Sequence, residues 1–285
     1  MMASVSKSVI THKGIFYTRI STNLSLDAPV ILFIHGIGES SLCFKEALLH
    51  SNLLGLGTLI MPDLPGFGAS IHASVSNYED YISIATDNLL CLIGEVAINH
   101  NPLILISHSA GNVIALNLLP QLKNHLIAYV DMDGIYAAEP WRYSSQVHRY
   151  ASADIFYSQA YNNLLTEIQT APNESLLRYY SSFVRCYPEA FYQYAKATQK
   201  FLIHQKYYLN FVKGKHLFIA SKKINGLLLN QLETSDIKVI QLSCLGHWVM
   251  LEEPQKVYDL IVHWITNIHI PIDTDQCCYP YEWNH

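Results

Sequence analysis

"LILISHSAGNVIAL", residues 103–116, runs a short, almost unbroken apolar stretch into the small residues Ser107, Ser109, Ala110 and Gly111, then into a helical pattern. Small residues at such a junction fit a tight strand-to-helix turn. The same turn can hold one side chain, here Ser109, exposed above the strand end as a nucleophile. Working outward, "PVILFIHG" (29–36) is another short continuous apolar run, the pattern of a strand buried on both faces. Burial on both faces requires helices on both sides of a sheet.

The remaining segments alternate in the same way. "SVITH" and "IFYTRIS" straddle Gly14 and read as a hairpin. "GTLIMPDLPGFG" reads as a strand closed by a Pro and Gly turn, 78–98 as a helix, and 109–119 as a helix stopped before Pro120. "LIAYVDMDG" (126–134), "HLFIAS" (216–221) and "IKVIQLS" (237–243) are further strands, and 251–268 a closing helix. This alternation predicts an α/β fold with a mostly parallel, doubly wound sheet. Residues 136–213 carry no such strand pattern and hold more than half of the chain's tyrosines. They read as a helical cap inserted between two strands, leaving 1–135 and 214–270 as the core and 271–285 as a C-terminal tail. Tyr143, Tyr150, Tyr157 and Tyr161 are spaced to stripe one helix face, either packing the cap onto the body or lining a pocket.

Composition narrows the function classes. The chain has 285 residues, 50% hydrophobic and 14% charged, with a net charge of −5. No apolar run approaches the roughly 20 residues of a membrane-spanning helix. The first residues lack the apolar core of a secretory signal, so a cytoplasmic location is expected. The net negative charge without a basic cluster argues against a nucleic-acid partner. Six cysteines, including Cys244, Cys277 and Cys278, have no metal-ligand spacing, and the fourteen histidines form no H-x-E-x-H group. Neither a metal nor another cofactor is implied; a small-molecule substrate is, and nothing bears on oligomeric state.

Open parallel sheets bind ligands outside the carboxyl ends of their strands, and four features converge there. Ser109 follows one strand and opens a helix, whose free N–H groups and dipole favour developing negative charge. "HGIG" (35–38) follows another strand, and the N–H of Ile37 with that of Ala110 would make a two-donor oxyanion hole. "DLPGFGAS" (63–70) reads as a structural turn. "CLGHWVMLEEP" (244–254) puts His247 in the loop after the last strand, where it could act as general base to Ser109. His35 and Gly36 in the first turn and His108 beside Ser109 read as substrate-pocket or packing residues rather than bases.

With these motifs in this order, the chain resembles the α/β-hydrolase superfamily, specifically its capped members, over nearly its whole length. The resemblance implies Ser109 as nucleophile, His247 as base, and Ile37 and Ala110 as oxyanion donors. Two departures stand out. Ser107 occupies the elbow position that is usually Gly, where any small residue fits. The loop that usually carries the triad acid reads "IASKKINGLL" (219–228) and holds no carboxylate. Some superfamily members carry the acid after the earlier strand, at the position of Asp133. Asp131 and Asp133 share parity on that strand, but Asp133 lies nearer its end and Gly134 lets the chain turn there. Asp131, Asn225 as an uncharged partner, and a simple strand-capping role for the aspartates remain alternatives. The expected activity is hydrolysis of an ester or similar apolar acyl compound. Rival readings are a non-catalytic ligand-binding homologue and a lyase or carbon–carbon bond hydrolase on the same fold.

Overall fold

The computed structural model describes residues 4–11, 14–21, 28–71, 78–96, 101–122, 124–136, 143–201, 210–222, 224, 226–242 and 246–268. Its strands are β1 (Ser4–Thr11), β2 (Gly14–Ser21), β3 (Val30–Ile34), β4 (Thr58–Pro62), β5 (Leu103–His108), β6 (Leu126–Met132), β7 (His216–Ala220) and β8 (Lys238–Gln241). They form one sheet in the order β1-β2-β4-β3-β5-β6-β7-β8. The β1–β2 and β2–β4 pairs are antiparallel, and every pair from β4 to β8 is parallel.

The apolar runs are buried on both faces. Val30, Leu32 and Ile34 of β3 join one core with Leu103 and Leu105 of β5, while Ile31, Phe33, Ile104 and Ile106 join the other. Helices α2 (Tyr78–Val96) and α3 (Gly111–Leu122) cover the first face. The 3-10 segment Ser41–Leu49, α1 (Ser51–Leu56) and the C-terminal helix cover the second. The connection out of β3 therefore leaves to one side and that out of β5 to the other. Their neighbouring carboxyl ends open a crevice at this switch point.

Between β6 and β7 the described chain is helical: a 3-10 turn Ser144–Arg149, α4 (Ala153–Phe156), a π turn Tyr157–Tyr161, α5 (Asn162–Gln169), α6 (Glu174–Phe183) and α7 (Pro188–Phe201). Helix α7 packs on α2, where the Tyr194 ring stacks on Tyr81 at 5.0 Å. Helix α6 reaches the loop after β3, where Ser182 Oγ meets Ser40 Oγ at 2.8 Å.

Three expectations need correction. Tyr143, Tyr150, Tyr157 and Tyr161 do not stripe one helix. Ser152 caps a new helix by accepting from the Ile155 N–H, and the π turn adds a residue to its next turn. Tyr161 is buried as a result, whereas Tyr157 is 54% exposed. Helix α3 runs through Pro120 to Leu122: proline there forgoes the bond to the Leu116 carbonyl, and only two helical residues follow it. The closing helix is broken: α9 (Val249–Glu252) ends at Glu253, which the following Pro254 pushes out of the helical region, and Pro254 then opens α10 (Pro254–Asn267) at a position where its missing N–H costs nothing. One further helix, α8 (Gly226–Thr234), connects β7 to β8.

Candidate active site

Ser109 sits in the turn between β5 and α3 with φ of 52°, a left-handed conformation that a side chain rarely adopts. The surrounding residues enforce it. A Cβ on Gly111 would lie 2.4 Å from the Ile34 carbonyl oxygen, and one on Gly36 would lie 3.0 Å from Ser109 Cβ. Only glycines let the turns after β3 and β5 close on each other. The Ser109 N–H donates to Met132 O at 3.0 Å, which ties the turn to the end of β6. Ser107 fits beneath it: its fully buried hydroxyl pairs with Tyr129 Oη at 2.9 Å and donates to Asp131 at 3.2 Å.

His247, just before α9, joins Ser109 to a carboxylate. Its Nε2 lies 2.8 Å from Ser109 Oγ and its Nδ1 2.6 Å from Asp133 Oδ2. Asp133 follows β6 with φ of 51°, and its own N–H donates to Ile219 O at 2.8 Å. Ser221, at the end of β7, donates to the same carboxylate through its N–H (3.0 Å) and its hydroxyl (2.9 Å). Burial works against the Asp133 charge, but the hydrogen bond and charge of His247 and both Ser221 donors outweigh it and hold its pKa below the usual carboxylate value. A serine hydroxyl bonded to an imidazole whose far nitrogen faces a carboxylate is an arrangement suited to proton removal from the serine.

Asp131 is placed elsewhere, despite its matching parity. It is fully buried, with Oδ1 accepting from Ser107 and Oδ2 from Tyr136 Oη at 2.6 Å. Burial raises its pKa to about 7, although both hydroxyl bonds pull the other way. Asn225 and Cys244 lie outside the described residues, as do Cys277, Cys278 and the rest of the C-terminal tail.

The Ile37 and Ala110 N–H groups, on the two touching turns, have no intramolecular acceptor among the described residues. Ile37, Ser109 and His247 line a cavity of about 380 Å³ whose other walls include Ile135, Tyr143, Leu176, Tyr179, Phe191 and Trp248, with Asn173, Ser144 and Lys222 among its polar lining.

His35, Gly36 and His108, expected at the pocket, do not line it. His35 is fully buried and neutral: its Nδ1–H donates to Gly36 O at 2.8 Å, its Nε2 accepts from the Leu64 N–H at 2.9 Å, and burial lowers its pKa against the pull of Asp63 and Glu39. Gly36 donates its N–H to Glu39 Oε2 at 2.7 Å. His108, also fully buried, has Nδ1 2.8 Å from Glu39 Oε1 and Nε2 2.8 Å from the His247 carbonyl oxygen. Oxygen at both nitrogens suits the imidazolium, and the Glu39 charge outweighs burial to raise the His108 pKa. Glu39 answers in kind: burial opposes its charge, but His108 and the Gly36 N–H bring its pKa down to about 2. Its Oε1 also accepts from Trp248 Nε1 at 2.7 Å, so this pair fixes the residues on either side of the His247–Trp248 peptide.

Glu39, Trp248 and Ser221 escaped the sequence reading. Glu39 directly follows the "HGIG" turn and Trp248 directly follows His247, yet no spacing rule ties an acid to an indole 209 residues away. Ser221 stands in the segment scanned for a carboxylate, but a serine there signals nothing until Asp133 is beside it. In the "DLPGFGAS" turn Asp63 accepts from the Ala69 N–H inside the turn at 2.8 Å and from the Ser41 N–H of the 3-10 segment after β3 at 2.7 Å. Among the described residues no group of three His, Cys, Asp or Glu could hold a metal ion, and no helix is long and apolar enough to cross a membrane.

The fold recurs widely in known structures. Haloalkane dehalogenase DatA from Agrobacterium tumefaciens C58 superposes with a TM-score of 0.72 at 16% identity, over 93% of this chain and 97% of that one. A carboxylesterase structure from the thaumarchaeon Nitrososphaera gargenis gives 0.70 at 14% identity, over 92% and 98%. In sequence, the magnesium-chelatase 30 kDa subunit of Rhodobacter capsulatus is 34% identical over 92 residues, a match that spans 32% of this chain and only 30% of that protein. Residues 31–260, from β3 through the Ser109 turn to the helix after His247, match the profile of the alpha/beta hydrolase family, and to that family this chain belongs.

Proposed function

We propose that the protein is a serine hydrolase that cleaves an ester or related acyl compound, with Ser109, His247 and Asp133 as its catalytic triad. The observation that carries this reading is the unbroken chain from Ser109 Oγ to His247 Nε2 at 2.8 Å and from His247 Nδ1 to Asp133 Oδ2 at 2.6 Å. A binding protein that had lost catalysis would have no need to keep a displaced carboxylate in register with the imidazole.

In the reaction, His247 Nε2 takes the Ser109 proton as Oγ attacks the substrate carbonyl carbon. The resulting tetrahedral oxyanion is stabilised by the Ile37 and Ala110 N–H groups. His247 then gives the proton to the leaving alcohol, and the acyl group stays on Ser109. Water, deprotonated by the same imidazole, attacks the acyl carbon and releases the acid, and Ser109 regains its proton. Asp133 keeps Nδ1 protonated throughout and stabilises the imidazolium. The helices over 143–201 serve as a cap whose aromatic wall suits an apolar acyl or alcohol group, and the cavity volume suits a small molecule.

The test is labelling with a fluorophosphonate, followed by peptide mapping and by turnover of p-nitrophenyl esters. Wild type is expected to label at Ser109; Ser109→Ala abolishes labelling, and His247→Ala lowers kcat by about a millionfold. A folded wild type that neither labels nor hydrolyses any ester of the series refutes the proposal.

A further inference from the structure

A second histidine joins the end of β5 to the loop that carries His247. His108, the last residue of β5, sets its ring 4.7 Å from the His247 ring, tilted by 47°. Its Nε2 lies 2.8 Å from the His247 carbonyl oxygen, to which no backbone N–H among the described residues donates. Its Nδ1 faces Glu39 Oε1 at 2.8 Å. Glu39 in turn accepts from the Gly36 N–H through Oε2 and from Trp248 Nε1 through Oε1, both at 2.7 Å. One buried pair therefore ties together the turn after β3, the end of β5 and the loop of the base.

This arrangement needs both ring hydrogens of His108. An oxygen stands at each nitrogen, and a neutral imidazole has only one N–H to offer. Glu39, as the charged acceptor, would keep that hydrogen on Nδ1. The Nε2 lone pair would then face the His247 carbonyl oxygen at a distance where two acceptors repel, and His247 would have to move. Its own Nε2, however, must stay within hydrogen-bond reach of Ser109 Oγ for proton transfer. His108 is fully buried and does not line the substrate cavity, so the displacement falls on His247 rather than on bound substrate.

Charged groups reach this ring from several elements. Burial opposes its charge, but Glu39 after β3 outweighs burial and Asp133 after β6 adds to the pull. Asp131 on β6 favours the imidazolium once ionised, above about pH 7. His35 in the turn after β3 opposes it when charged, as does His247 when protonated.

We infer that His108 is a positioning residue whose two ring hydrogens keep His247 aligned on Ser109, so that the reaction slows when rising pH removes one of them. The inference rests on the reading of Ser109 as nucleophile and His247 as base. The pH profile of kcat then has two limbs of separate origin: kcat rises as His247 becomes free to accept the Ser109 proton and falls as His108 loses its own. A displacement of about 1 Å at a reacting group can cost on the order of a hundredfold, and the smaller shift of a held loop is expected to cost about tenfold.

The test combines kcat and KM for p-nitrophenyl acetate from about pH 5 to 10 with NMR of protein labelled with nitrogen-15 at its histidines, which reports the protons on each ring. The His108 signals are those missing from His108→Gln. Wild-type kcat is expected to fall about tenfold on the alkaline side with KM within about twofold. The midpoint should lie above 6.5 and coincide with the loss of a His108 ring proton. His108→Gln cannot titrate and should lack this limb, whereas a limb owed to Asp131 would survive in it. Glu39→Gln removes the charge that holds the proton and should move the limb and the His108 titration down by about 1–3 pH units. Circular dichroism checks that each variant is folded at the pH of assay. An alkaline limb that persists in folded His108→Gln or stays in place in folded Glu39→Gln overturns the inference. So do wild-type kinetic and NMR midpoints that differ, a comparison that stands even if neither variant folds. A wild type that labels at Ser109 but shows no alkaline limb overturns the inference alone, whereas one that neither labels nor turns over the ester points to failure of the hydrolase reading itself.

Discussion

Asp133→Asn tests the least expected part of the site at nearly constant shape. The backbone N–H of Ser221 donates to Asp133 Oδ1 at 3.0 Å and cannot reverse its role. It therefore selects the amide oxygen of an introduced asparagine and leaves the amide NH₂ in the place of Oδ2, facing His247 Nδ1. Two N–H groups cannot face each other at the present 2.6 Å, so the imidazole must take the tautomer with its proton on Nε2. That proton then points at Ser109 Oγ, and the base can no longer accept. The Ser221 hydroxyl, 2.9 Å from Oδ2, can rotate to accept from the new NH₂, so the fold loses little. The expected outcome is a drop in kcat of about ten-thousandfold, or about 5.4 kcal/mol of transition-state stabilisation, against about 1 kcal/mol in unfolding free energy. Steady-state hydrolysis of p-nitrophenyl esters gives the first quantity and denaturant unfolding the second. A folded Asp133→Asn protein retaining kcat within tenfold of wild type would refute the tautomer argument and with it the assignment of Asp133 as the triad acid.

Ser221→Ala removes one of the two donors that Ser221 gives Asp133 and leaves the backbone one; kcat should fall about fivefold at unchanged KM, matching the ~1 kcal/mol of a single hydrogen bond. Glu39, with its pKa held down from 4.5 to about 2, contributes stability that is present above pH 4.5 and lost as pH falls toward 2. His108, with its pKa raised above 6.5, contributes stability that is full below pH 6.5 and lost as pH climbs through the raised value. The pair thus stabilises most between about pH 4.5 and 6.5. Glu39→Gln should remove that maximum and lower Tm near pH 6 by roughly 10 °C, since stranding one member of a buried pair costs about 3–5 kcal/mol; thermal scans across pH check both. Gly38→Ala should cost about 1–3 kcal/mol from its φ of +74° and must also displace the Tyr179 hydroxyl, a loss that denaturant unfolding measures.

The fold was readable where burial leaves no ambiguity. Strands β3, β5 and β7 are buried at every residue on both faces, so the chain carries uninterrupted apolar runs that end at the motif turns. The region over 143–201 was legible as helical but not in its breaks. A helix start at Ser152 and a π turn are local hydrogen-bonding choices that the spacing of tyrosines does not encode. The buried histidines were harder still. His35, His108 and His247 all lie at or after the carboxyl ends of strands, and only the donors and acceptors that surround each ring separate a neutral packing group, a charged partner of Glu39 and a residue facing Ser109.

By itself, the sequence determined that a doubly wound sheet would bring Ser109, "HGIG" and His247 to one edge, because parallel strands place their carboxyl-end loops together. The resemblance to capped hydrolases pointed to the end of β6, where the sequence favoured Asp133 for the turn that Gly134 permits and left Asp131 and Asn225 as alternatives. The tertiary structure decided which carboxylate meets His247: Asp131 turns into the buried hydroxyls of Ser107 and Tyr136, while Asp133, past the strand end, reaches the imidazole with Ser221 of a neighbouring strand behind it. It alone also joined Glu39 to His108 and the tyrosines of α6 and α7 to the turns after β3 and β5. Such pairings depend on distances of about 3 Å between residues far apart in the chain, and no local pattern of residue types carries that information.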